Sequence, residues 1–81
     1  MTGYVKYDAE ADMLYVRFSN DPIDHTRPVD DLRMIDYSVD NAVVGLEFVD
    51  ASGGVDLRDL PFRQKAELLL GDSGLGLPLL V

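Results

Sequence analysis

The stretch YDAEADMLYVRF, residues 7–18, sets carboxylates at alternate positions, Asp8, Glu10 and Asp12, and then turns into an alternating apolar run. Within that run Leu14, Val16 and Phe18 share one side and Tyr15 and Arg17 the other, which is the period of a strand with one face in a core. The DAEAD before it has no β-branched residue, and if extended would point its negative side chains the same way. A turn capped by Asp8 suits those residues better, so the stretch predicts a turn that launches a strand.

Upstream, residues 5–7 form a short strand candidate. Downstream, SNDPID carries turn chemistry, and an edge strand over residues 23–29 is limited by Pro28, which cannot donate to a ladder. Residues 32–37 and 42–49 are β-rich and are joined by SVDN, where Asp40 and Asn41 tolerate a left-handed backbone; this predicts a hairpin. In its second arm Val44, Leu46 and Phe48 share one side, and Val43, Gly45, Glu47 and Val49 the other. A glycine at position 45 in mid-strand calls for a bulge, a bend or a large side chain lying across it. After ASGGVDL the pattern becomes helical over residues 60–71, with Asp59 as cap, Pro61 in the first turn, Phe62, Ala66, Leu69 and Leu70 as the apolar stripe, and Gly71 as the stop. The expected fold is α+β: a small antiparallel β-meander of four or five strands over residues 1–52, a linker over 53–59, the helix, and a tail over 72–81.

One domain of 81 residues buries only roughly 60% of its unfolded surface, and without cysteine neither a disulfide nor a thiolate zinc site can support it. Fifteen acids against seven bases give a net charge of −8, spread along the chain. Nucleic acid is therefore an unfavourable partner, since no basic stripe is present to displace counterions, whereas a basic protein would be attracted. The opening MTGYVKYDAEAD lacks the basic and apolar regions of a signal peptide, and LGLPLLV is too short to span a bilayer; a soluble cytoplasmic protein with no membrane association is expected.

By residue parity, Tyr15, Ile35, Tyr37, Val43 and Val49 lie opposite the core set, and one short helix can cover only one face. Self-association, as a dimer, or a stable protein partner follows, with Leu77 and Leu79 of the tail as further contact candidates.

Other patterns dissolve on inspection. A calcium loop beginning at Asp8 would need Gly and Glu where Met13 and Ser19 stand. GDSG, residues 71–74, follows a helix and reads as its stop, since a chain of this size cannot build the two barrels that a chymotrypsin-like triad needs. His25, the only histidine, has neither a second His nor a Cys to complete a metal set. Asp36 and Glu47 interrupt apolar strands; pairing of the strands that carry them would bring the two carboxylates within reach, although each could equally face solvent or accept hydrogen bonds that fix register.

YDAEADMLYVRF, then IDYSVDNAVVGLEFVDAS, then GVDLRDLP, resembles a prokaryotic family of unknown function, DUF2283. The pieces YDxEADxLY and DYxxDxxVVGLExxDAS carry the likeness. The resemblance implies a small antiparallel sheet with a helical tail and no established activity; members tend to be encoded beside small toxin-like proteins, which implies an antitoxin-like role. Ser38 departs from the family's usual acid after DY, which weakens a shared acidic metal site, and Asn41 replaces the usual turn glycine.

The chain thus reads as a non-catalytic interaction or regulatory module without cofactors, working through dimerisation or through masking a small basic protein. The alternative is a small-ligand or divalent-cation site drawing on Asp8, Asp12, Asp36 and Glu47.

Overall fold

A computed structural model describes residues 3–81. The expected strands form as β1 (Tyr4–Asp8), β2 (Met13–Arg17), β3 (His25–Pro28), β4 (Arg33–Tyr37) and β5 (Val43–Val49). They build one five-stranded antiparallel sheet in the order β1-β2-β5-β4-β3. The architecture is α+β and meander-like: the β1-β2 hairpin joins the β3-β4-β5 run through β2 pairing with β5.

The turns follow from side chains that the sequence supplies. Asp8 Oδ1 accepts the backbone N–H of Glu10 and of Ala11, each at 3.1 Å, which closes the DAEAD turn, and Asp12 leaves it in a left-handed conformation with φ 53°. In the β4-β5 hairpin Asn41 takes φ 63°, and Ser38 accepts the Asn41 N–H on its carbonyl and the Ala42 N–H on its hydroxyl.

Leu14, Val16, Leu46 and Phe48 are buried on one side of the sheet. A 3-10 turn (Ala51–Gly53), β6 (Val55–Asp56), helix α1 (Arg63–Ser73) and β7 (Leu79–Leu80) follow β5. Ala51, Val55, Leu57, Leu60, Ala66, Leu69 and Leu70 pack with the sheet residues into one core. The supposed linker and tail meet each other: β6 and β7 form a two-stranded parallel pair, with Val55 N–H on Pro78 O and Leu57 N–H on Leu80 O, both at 2.8 Å.

Three expectations need correction. Ile35 does not share a face with Tyr15; its register partner is Leu46, and it packs against the core. Residue parity carries across strands only once their register is known, and here the open side takes odd residues from β2 and from β5 between Gly45 and Val49, but even ones from β1, β3 and β4, while the register shift at Asp36/Tyr37 turns Val43 to the core. Tyr37, two residues on from Ile35, stacks instead on His25, with ring centroids 5.2 Å apart, below the Arg27 guanidinium. The helix is displaced towards the C-terminus: Asp59 (φ 62°) and Phe62 (φ 55°) are both left-handed, neither side chain caps it, Gly71 lies inside it, and Gly74 at φ 72° ends it. Phe62 consequently stays 54% exposed and reaches the core only by its ring contact with Phe18, centroid to centroid 5.2 Å. Among the described residues no helix is long and apolar enough to cross a membrane.

Candidate functional site

The helix and the β6-β7 pair cover one face of the sheet, and among the described residues no helix or strand covers the other. Its side chains fall into three rows across the strands. Tyr4, Arg17, Gly45, Asp36 and Thr26 make one row, Lys6, Tyr15, Glu47, Met34 and Pro28 a second, and Asp8, Met13 and Val49 a shorter third. Met13, Tyr15, Met34 and Val49 are half-buried there.

Gly45 organises the first row. The side chain of Arg17 lies across it, its Cδ 3.0 Å from where a Cβ would stand, and Asp36 Oδ2 approaches the same point at 3.4 Å from the other side. The register shift between Asp36 and Tyr37 adds a bulge beside it. Arg17 donates from Nη2 to the carbonyls of Ser19 (3.2 Å) and Asp21 (2.7 Å), which folds the β2-β3 loop back onto the sheet, while its Nε is buried without an acceptor. Tyr4, Lys6, Tyr15, Arg17, Asp36 and Ile23 from that loop line a shallow pocket of about 170 Å³.

Asp36 is only 2% exposed although it belongs to the uncovered face. Thr26 donates its hydroxyl to Asp36 Oδ1 at 2.6 Å across the edge pair. Its other neighbour is a second carboxyl: Glu47 hydrogen-bonds to Asp36, and that bond, burial and the adjacent charge together push Glu47 up to about 7. The adjacent acid thus favours the protonated form of Glu47.

The other acid centre is built differently. Asp12 Oδ1 accepts from the Tyr7 hydroxyl at 2.6 Å and the Ser52 N–H at 2.9 Å, and Oδ2 accepts the Ser52 hydroxyl at 2.5 Å. Those bonds, Ser52 foremost, hold Asp12 below the usual carboxylate range, while the Asp12 bond pushes the Tyr7 phenol up. With the Ala51 N–H on the Asp12 carbonyl, the junction ties the β1-β2 turn to the 3-10 turn after β5.

The structure therefore brings Asp36 and Glu47 together on the open face, engages Asp12 at this junction, and uses exposed Asp8 to close the turn. Among the described residues no three His, Asp or Glu side chains converge to hold a metal ion. Tyr15 and Val49 lie on the uncovered face, whereas Val43, Leu77 and Leu79 pack against the core. Sequence reasoning missed Thr26 and Ser52 as partners of the acids, and Arg17 as the side chain that lies across Gly45. Arg17 alternating with core residues in β2 was a usable signal; Ser52, forty positions from Asp12, gave none.

The family model described as "Protein of unknown function (DUF2283)" matches residues 4–52, more than half of the chain. The match ends within the 3-10 turn, so GVDLRDLP and the helix lie beyond it. No curated protein and no solved structure matches. Both halves of the Asp12 junction fall within the matched segment, since Tyr7 and Asp12 stand in YDxEADxLY and Ser52 in the closing DAS.

Proposed function

We propose that the chain, which belongs to the DUF2283 family, is a non-catalytic interaction module whose uncovered sheet face docks a second copy of itself. The observation that carries this is the character of that face. It is apolar at Tyr4, Met13, Tyr15, Met34 and Val49, and it mixes both signs of charge, with Lys6 and Arg17 on β1 and β2 beside Asp8, Asp36 and Glu47 on β1, β4 and β5. In a chain of −8 it is a patch where two copies meet with little repulsion. With β5 in the middle, a two-fold axis along that strand sets β2 over the partner's β4 and so brings Arg17 over the strand that carries Asp36.

Sedimentation of the full chain tests the reading: a particle of twice 9.0 kDa at tens of micromolar is expected, and Met34→Asp, which places a charge in the face without touching the core, should return it to monomer. A monomer at every concentration up to precipitation overturns it.

The net charge favours a second reading, in which the module masks a small basic protein in an antitoxin-like way. Salt separates the two. Contact between copies that each carry −8 tightens as salt screens their repulsion, whereas a complex with a basic partner loosens.

A further inference from the structure

Lys6 and Arg17 stand diagonally across the β1-β2 pair. Tyr4 is opposite Arg17 and Tyr15 opposite Lys6, so two cations and two phenols alternate at the corners of one square of the open face. Diagonal neighbours in an antiparallel pair lie about 7–8 Å apart, near enough for the two positive charges to repel and for one small anion to touch both. Neither cation has a carboxylate at ion-pair distance; among the described residues the ion pairs go to His25, Arg33 and Arg58 instead. Arg17 donates from Nη2 to two neutral carbonyls and its Nε meets no acceptor, so no anion answers its charge. In a chain with fifteen acids against seven bases, two adjacent bases left unpaired run against the composition.

Both cations line the pocket of about 170 Å³ whose other walls are Tyr4, Tyr15, Ile23 and Asp36. Asp36 is its one acid, 2% exposed and with Oδ1 held by the Thr26 hydroxyl. Two cations against one carboxylate leave the pocket net positive. Glu47, across Tyr15 from Lys6, is not among its walls, and the acids of the nearby loop, Asp21 and Asp24, line a separate hollow with Asp40. The bonds from Arg17 to the Ser19 and Asp21 carbonyls also hold the loop that carries Ile23, so the residue that supplies the charge helps to place an apolar wall beside it.

We infer that this pocket binds a small organic monocarboxylate, with the anionic group between Lys6 and Arg17 and the apolar body against Tyr15 and Ile23. Arg17 offers planar donors that match a carboxylate and Lys6 a mobile point charge, and one surplus positive charge calls for one negative one. Space equal to about six waters admits a carboxyl group on a single ring or a short branched chain and is too small for a nucleotide. The pocket opens on the face proposed above to meet a second copy, but its charge and walls belong to one chain and do not depend on that contact.

The test is saturation-transfer difference NMR on the full chain at low micromolar concentration, where copies are not yet expected to meet. Benzoate is the probe, benzamide its uncharged match and acetate the same charge without a body. Benzoate should bind saturably in the millimolar range, and both controls at least about tenfold more weakly, as loss of a charge-assisted contact or of the apolar one implies. Lys6→Gln removes an exposed side chain that makes no ion pair, and should weaken benzoate about tenfold. Arg63→Gln, which changes the net charge by the same step but on the helix, should leave benzoate binding as it was. Absence of saturable benzoate binding, a control that binds as tightly as benzoate, or equal weakening by Lys6→Gln and Arg63→Gln would each overturn the pocket. None of these outcomes touches the face-to-face dimer, which stands or falls by sedimentation.

Discussion

Asp12 and Glu47 belong to the same small sheet, Asp12 in the turn before β2 and Glu47 within β5, and each has another acid within a few residues or across one strand. Their chemistry diverges because of what donates to them. Asp12 meets a phenol, a hydroxyl and a backbone N–H, and settles as a carboxylate that ties two turns together. Glu47 meets Asp36, whose best donor, Thr26, is already committed, and so it has to keep a proton. The donor inventory around an acid thus decides whether it locks a structure or stays responsive; neither alternate spacing in the sequence nor exposure separates the two cases.

The same contrast divides the two faces of the sheet, and substitutions on one strand probe both. The largest effect is expected at Leu46, 1% exposed on the covered face: Leu46→Ala should cost about 2–5 kcal/mol in urea unfolding, and a loss below about 1 would mean that the helix side is no tighter than the open side. Next comes Gly45, one residue along and facing the other way. A methyl group there meets the Val16 carbonyl oxygen at 2.8 Å, so Gly45→Ala should lose about 1–3 kcal/mol by prising β2 from β5, with Arg17 and Asp36 displaced.

The smallest effect is a gain. Folding raises the affinity of Glu47 for its proton from the ordinary carboxylate range to about 7, so this contribution is full below about pH 4.5, declines between there and pH 7, and is gone above. Glu47→Gln should therefore be more stable than wild type at pH 8, by about 1–2 kcal/mol once solvent screening is allowed for, and should show no advantage at pH 4. Thermal melts at concentrations below dimerisation read this directly. Equal stability of the two proteins at pH 8 would remove the distinction between Glu47 and Asp12.

Much of the sheet was legible because β2 and β5 alternate cleanly and their turns carry diagnostic residues, Asp8 in one and Asn41 in the other. The helix boundary was not, because Asp59 and Phe62 adopt left-handed conformations that no propensity assigns to them in advance, and because two glycines three residues apart, Gly71 and Gly74, can each serve as a stop and the helix ends at the second. Of the candidate site, the approach of Asp36 to Glu47 followed from β4 pairing with β5, and that pairing was in turn readable from SVDN. What local sequence could not supply was the register that turns Ile35 inward against Leu46, or the contact over forty positions that gives Asp12 to Ser52.

The place of β5 between β2 and β4 has a further consequence, for the order in which the sheet can form. During synthesis the β1-β2 and β3-β4 hairpins are both complete in the chain before β5 has emerged, and until it does each presents a bare inner edge of unpaired backbone groups. The strand that closes the gap is made last of the five, and its pairing with β2 spans some thirty residues, a long loop to close. This sheet is finished from its centre, so a nascent chain stalled before residue 43 is the form of the molecule most exposed to pairing with the wrong strand.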